Sequence, residues 1–142
     1  MKTSYGFTLV ELLLVMVLVA VLTTIAAIVY PKYTVGARVS EAVVGMKAII
    51  LSQKVEKMKG QYYSADSPVI FRSKGIELET KYFDFSTNPN GASGFQVIAT
   101  GTSAFDAPGD TIKFDKTDGQ EGMWSVGESN RMITLDMISN GV

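Results

Sequence analysis

Residues 7–30, FTLVELLLVMVLVAVLTTIAAIVY, form an apolar run of about 24 residues with one charge, Glu11, and no ordinary soluble surface tolerates such a run uncovered. As a helix rising ~1.5 Å per residue it spans roughly 36 Å, enough to cross a hydrocarbon core of ~30 Å with some tilt. A cleaved secretory signal has a shorter apolar region, ~7 to 15 residues, followed by a small-residue cleavage site. The run is therefore read as a membrane helix. Flanking charge is thin, with Lys2 before the span and Lys32 after it. Lys2 and the free amino terminus favour a cytoplasmic start.

Glu11 is the anomaly in this segment. A carboxylate near the start of a span costs on the order of 2 to 3 kcal/mol and persists where something pairs with it. Two readings are open: a cation partners Glu11, or the carboxylate sits one turn into the helix, near headgroups and the positive helix end.

Beyond Pro31 the pattern turns amphipathic. Val35, Val39, Val43, Met46, Ile50, Val55 and Met58 recur mostly at three- and four-residue steps, the spacing of one helix face. One helix is expected from Phe7 to about Met58, ended by Gly60 with Lys57 and Lys59 in its last turn. Its apolar stripe is expected to pack on a sheet rather than in a coiled coil. Residues 61–80 read as a connector, a loop with a short helix or strand. Strand-like runs follow at residues 81–85, 95–100, 111–115, 123–126 and 132–136, separated by turn signals such as NPNGASG, APGD and Asp118-Gly119. These read as an antiparallel meander packed on the helix.

Composition narrows the chemistry. The 142 residues are 46% hydrophobic and 19% charged, which argues for a folded chain. A formal charge of -1 provides no basic surplus for phosphates, so nucleic acid is not an evident partner. With neither Cys nor His, thiolate and imidazole metal sites, Cys nucleophiles and a Ser-His-Asp triad are excluded, and packing must hold the fold without disulfides. No enzyme is read here, and no cofactor. Asp115, Asp118 and Glu121 cluster around a Gly and are weak candidates for a hard cation; they lack the acidic spacing of an EF-hand loop, and a solvated turn is the preferred reading. Phe7, Tyr30 and Tyr33 are read as packing aromatics rather than as an electron path.

MKTSYG followed by FTLVELLLVMVLVAVL resembles the leader and N-terminal methylation motif of type IV pilins and pseudopilins: a short leader with a basic residue, Gly6 at its end, Phe7, Thr8-Leu9, then Glu11 and an unbroken apolar tail. The resemblance covers about the first thirty residues. It implies an α+β pilin fold, one long N-terminal helix on an antiparallel sheet. The implied organisation is leader 1–6, membrane and assembly helix 7–32, and globular headgroup 33–142, with helix to about 59, connector to about 80 and sheet 81–136.

By the same resemblance a membrane peptidase cuts after Gly6 and Phe7 is N-methylated. Glu11 then faces the amino terminus of a neighbouring subunit. The implied partners are other copies in a helical homopolymer, the prepilin peptidase, the inner-membrane assembly machinery, and the bilayer before assembly. The implied location is the bacterial inner membrane for the precursor and the cell surface for the filament, which serves adhesion, motility, DNA uptake or related functions. A type II secretion pseudopilin or minor pilin shares the motif; a membrane-anchored binding domain that never polymerises is a reading from another class.

The chain departs from the common pattern at Ala20, where many pilins have Gly, and in having Pro31 as the first proline of the helix, where a kink is expected between Ala27 and Pro31. The disulfide-bounded loop of many Gram-negative pilins is absent with the cysteines.

Intact mass of the mature protein is expected to show loss of residues 1–6 and gain of one methyl group; uncut chain in assembled filaments would exclude the leader assignment.

Overall fold

A computed structural model of the chain describes residues 6–139, so most of the expected leader, Lys2 included, lies outside the described residues. The chain divides between Thr34 and Val35 into two compact units. Helix α1, Leu9–Met58, supplies the described part of the first unit and opens the second. It continues without a break through Pro31. In the first unit every described side chain up to Tyr33 is exposed. The two polar side chains in mid-run look inward to their own helix: Thr23 and Thr24 donate to the carbonyls of Val19 and Ala20 at 2.9 and 2.8 Å. That satisfies both hydroxyls without any outside partner.

In the second unit α1 buries Val35, Val39, Ala42, Val43, Met46, Ile49 and Ile50 against a four-stranded sheet. The strands are β1 Phe83–Pro89, β2 Gly94–Gly101, β3 Thr111–Thr117 and β4 Met123–Val126, each antiparallel to the next in chain order. Alternation places Phe83, Phe85, Phe95, Val97, Ala99, Ile112 and Phe114 in the core. Gly45 brings helix and sheet together: a Cβ there would stand 3.1 Å from the Phe85 ring. Rings continue the core across the sheet, with Phe95–Phe114 and Phe114–Trp124 centroids 6.1 and 4.9 Å apart. Trp124, on the short outer strand, is half-buried.

Two expectations require correction. Val55 and Met58 were expected on the buried stripe, yet they are 39% and 80% exposed. The buried row passes instead from Met46 through Ile49 to Gln53. From Gln53, Val55 lies roughly 200° and Met58 roughly 140° around the helix, so both face away from the sheet. Gln53 is fully buried because the connector needs it. Its Nε2 donates to the Tyr63 carbonyl and to Thr87 Oγ1 at 2.6 and 2.8 Å, and its Oε1 accepts from the Tyr63 amide at 3.2 Å. The connector adds a bridge between Ala65 and Thr87 and the short helix α2, Pro68–Ser73, capped by Ser67.

The run 132–136, expected as a fifth strand closing a sheet over 81–136, is not a strand. It leads into helix α3, Leu135–Ser139, and the sheet ends at Val126. The reason is Asp110, which is 2% exposed. Its carboxylate accepts the backbone N–H of Arg131, Met132 and Ile133 at 3.0, 2.9 and 3.2 Å. Amides spent on a carboxylate cannot join a ladder. The chain then turns so that Ile133 and Ile138 enter the core.

Replacing Asp110 leaves those amides without an acceptor in a protected site, at ~1 to 3 kcal/mol for a buried unsatisfied donor. In a soluble fragment beginning at Tyr33, Asp110→Ala is expected to cost ~3 to 5 kcal/mol in urea unfolding. Equal midpoints for the two proteins would refute the role of Asp110.

Candidate functional site

The candidate site begins where α1 begins. Gly6, Phe7 and Thr8 precede the first helical residue, Leu9, and Phe7 is 75% exposed. A new helix leaves its first N–H groups without partners. Here Thr8 and Glu11 satisfy each other reciprocally. Thr8 Oγ1 accepts the Glu11 amide at 3.2 Å, and Glu11 Oε2 accepts the Thr8 amide at 3.0 Å and its hydroxyl at 2.9 Å. This is a capping box, a Thr followed three residues later by Glu, with a carboxylate held against the positive end of the helix. The Thr8-x-x-Glu11 spacing carried that signal in the sequence, and the sequence reading of Glu11 passed over it. No Lys or Arg stands within ion-pair distance of Glu11 among the described residues. The carboxylate is therefore fixed in position with no counter-charge among the described residues, close in sequence to the residue that leader removal would make the amino terminus.

Behind this cap, the apolar stretch of α1 is long enough to cross a membrane and none of it is buried. Pro31 lies inside α1, and Thr34 donates its hydroxyl to the Pro31 carbonyl at 2.8 Å. Lacking an N–H, Pro31 leaves the carbonyl of Ala27 without its helical donor.

The acidic residues near the β3–β4 turn do not converge. Asp115 accepts from Gln96 Nε2 at 2.7 Å, and Asp118 is engaged by the Tyr62 hydroxyl and by Lys57 Nζ at 3.1 Å, while Glu121 is exposed. No cluster of acidic side chains suited to a metal ion is present among the described residues. The turn instead works as a clasp. Lys57, in the last turn of α1, reaches the Ala92 carbonyl at 2.6 Å and lies over the Tyr62 ring, which packs on Phe95. One lysine thus ties the end of α1 to the β1–β2 and β3–β4 turns.

Residues 1–27 match the family described as the prokaryotic N-terminal methylation motif. Over 104 residues the chain is 30% identical to the type IV major pilin protein PilE1 of Neisseria gonorrhoeae, an alignment covering 69% of this chain and 46% of that protein. The chain belongs to the type IV pilin superfamily. It spans a little under half the length of that curated relative. No solved structure matches it. The pilin architecture read from the sequence, one long N-terminal helix on an antiparallel sheet, is the one observed.

The clasp gives this pilin headgroup two pH limbs. Hydrogen bonds from Tyr62 and then Lys57 hold the Asp118 carboxyl below its ordinary value. Its contribution is present above the unfolded value near 4 and is lost as pH falls through the lower folded one. Burial, then the hydrogen bond to Asp118, pushes the Tyr62 hydroxyl up to about 12. That contribution is complete below the unfolded value near 10 and is lost as pH rises through the folded one. Asp118→Asn is expected to remove the acid limb and shrink the alkaline limb of urea midpoint against pH. Superimposable curves for wild type and variant would rule the clasp out.

Proposed function

We propose that this chain is a structural subunit of a type IV pilus-like filament. Prepilin peptidase cuts it between Gly6 and Phe7, Phe7 is N-methylated, and the subunit polymerises through its N-terminal helix into a helical homopolymer. Before assembly the precursor rests in the bacterial inner membrane by a single span with a cytoplasmic amino terminus; afterwards it lies in a surface filament raised by the inner-membrane assembly machinery. Residues 7–32 form the assembly helix and 33–142 the headgroup. The alignment to a major pilin supports a pilus over a secretion pseudopilus. The role is structural, with no catalytic residue, cofactor or metal assigned.

The observation that carries this reading is Glu11. Thr8 holds its carboxylate at the head of a helix whose apolar surface is bare, and no cation of the described chain answers it. Cleavage of a neighbouring copy supplies one, the methylated amine of Phe7. The cap accounts for the side chain, since Gln serves a capping box as well as Glu does. The charge costs on the order of 2 to 3 kcal/mol in a span and is best offset where a neighbour's amine answers it. Transfer from bilayer to filament core keeps the helix in apolar surroundings throughout, so assembly does not expose it to water. Pro31 is the place for the helix to bend as neighbours pack.

Glu11→Gln keeps the size of the side chain and removes its charge. Membrane insertion is expected to persist or improve. Assembly is expected to fail, because removing one partner of a buried pair costs on the order of 3 to 5 kcal/mol. Electron microscopy of sheared surface fractions and blotting of membrane fractions read the two outcomes. Normal filaments built from Glu11→Gln alone would end the pairing role, and the absence of any filament from wild-type chain in its own host would favour the anchored domain.

A further inference from the structure

The sequence contains the asparagines Asn88, Asn90, Asn130 and Asn140, the last of which lies outside the described residues. Asparagine is a chemically labile side chain, and the other three stand in contrasting surroundings. Asn88 precedes Pro89, and its Oδ1 accepts the Ser64 hydroxyl at 2.7 Å. Asn130 is held at both ends of its amide by the Thr111 backbone: its Oδ1 accepts the N–H and its Nδ2 donates to the carbonyl, each at 2.8 Å. Asn90 is exposed and Gly91 follows it. Its side-chain amide has no hydrogen-bond partner among the described residues.

The β1–β2 turn anchors the backbone on either side of this dipeptide and leaves its middle open. The Asn90 N–H donates to the Gly94 carbonyl at 2.8 Å, and the Ala92 carbonyl accepts from Lys57 Nζ at 2.6 Å. Between them the Gly91 N–H has no acceptor among the described residues. Gly91 is exposed with a φ of 69°, and a Cβ built there would meet nothing within 4 Å, so that flank of the turn is open to water.

We propose that Asn90 is a modification site at which the chain deamidates its own side chain. The Gly91 nitrogen gives its proton to solvent and attacks Asn90 Cγ. A C–N bond forms and closes a five-membered succinimide, the bond from Cγ to Nδ2 breaks, and ammonia leaves with a proton from solvent. Water then opens the ring and the Gly91 nitrogen regains a proton. Breaking the bond to Cγ leaves aspartate; breaking the bond to the main-chain carbonyl carbon leaves isoaspartate, whose main chain is one methylene longer. Water is the only co-reactant and nothing is oxidised or reduced. Asn88 is barred from this path because the Pro89 nitrogen carries no proton to lose. Asn130 is barred because reaching the Arg131 nitrogen would break both Thr111 bonds and the bond from the Arg131 N–H to Asp110. Either product adds a negative charge to the turn. The isoaspartyl product also lengthens the chain two residues before the Ala92 carbonyl that Lys57 holds, which couples the modification to the clasp.

Full-length chain is kept for days at mildly alkaline pH and mapped by tryptic mass spectrometry, with isoaspartate counted by enzymatic methylation. Replacement of the Asn90 amide by a carboxyl is expected to run at least tenfold faster than at Asn130, to quicken as pH rises, and to have no counterpart at Asn88. Asn90→Gln is expected to abolish isoaspartate in peptide 82–113. Acylation of Lys57 by an amine reagent is expected to rise at least twofold in aged wild type and to stay level in aged Asn90→Gln. An Asn90 that remains intact overturns the proposal, most directly where Asn140, with the same Gly successor, has converted. Equal rates at Asn90 and Asn130 overturn it as well. Conversion that leaves Lys57 labelling level overturns the coupling to the clasp.

Discussion

Every part of this molecule answers to the apolar surface of α1 and the need to keep water off it. Inside the headgroup the sheet does the covering: Val35, Val39, Met46 and Ile49 are fully or nearly fully buried, and the inner faces of β1, β2 and β3 supply Phe85, Val97 and Ile112 opposite them. Over the preceding stretch nothing among the described residues does so, and the segment is exposed from end to end. At ~25 cal/mol per Å² of apolar surface, leaving it in water is prohibitive for a domain of ordinary stability, so its surroundings are lipid or other protein. Polar groups on this stretch are correspondingly self-contained. Thr23 and Thr24 bond to their own helix, and Thr8 and Glu11 close its first turn.

The headgroup holds its C-terminal portion without covalent staples, and it does so with polar groups placed where chain segments far apart in sequence meet. Asp110 gathers three successive amides and ends the sheet. Gln53 joins helix, connector and β1 through both ends of its amide. Lys57 ties the end of α1 to the β1–β2 and β3–β4 turns. Asp110 and Gln53 are buried, so breaking their bonds is costly because the partners stay desolvated, whereas the Lys57 contacts are open to water and contribute less. A chain with no cysteine has obtained by such contacts the closure that a disulfide would otherwise provide.

Much of this was legible in the sequence, and the errors share one cause. Period-two alternation located four strands and their antiparallel order, because each strand has one face on the core and one on water. Helical spacing located the buried half-turns of α1, yet it merged two rows into one. Val55 and Met58 belong to an outward row, and the inward row ends on Gln53, a polar residue that no apolar count selects. The expected fifth strand failed for a similar reason: residues 132–136 alternate as a strand does, but their amides had already been claimed by a carboxylate more than twenty residues away. At the amino end the oversight was different in kind, since Thr8 and Glu11 are three residues apart and their mutual cap is a local pattern.

By itself, then, the sequence determined the local matters: a bare apolar helix behind a leader motif, a carboxylate in its first turn, a helix end at Gly60, and strands that alternate. Such features depend on residues within a few positions of one another, where spacing is geometry. Only the tertiary structure decided which side of α1 meets the sheet, that the Asp118 turn is a clasp rather than a metal loop, and that the last strand yields to α3. Those outcomes depend on which distant groups arrive first at a shared donor or a shared surface, and a buried amide or apolar face can be satisfied only once.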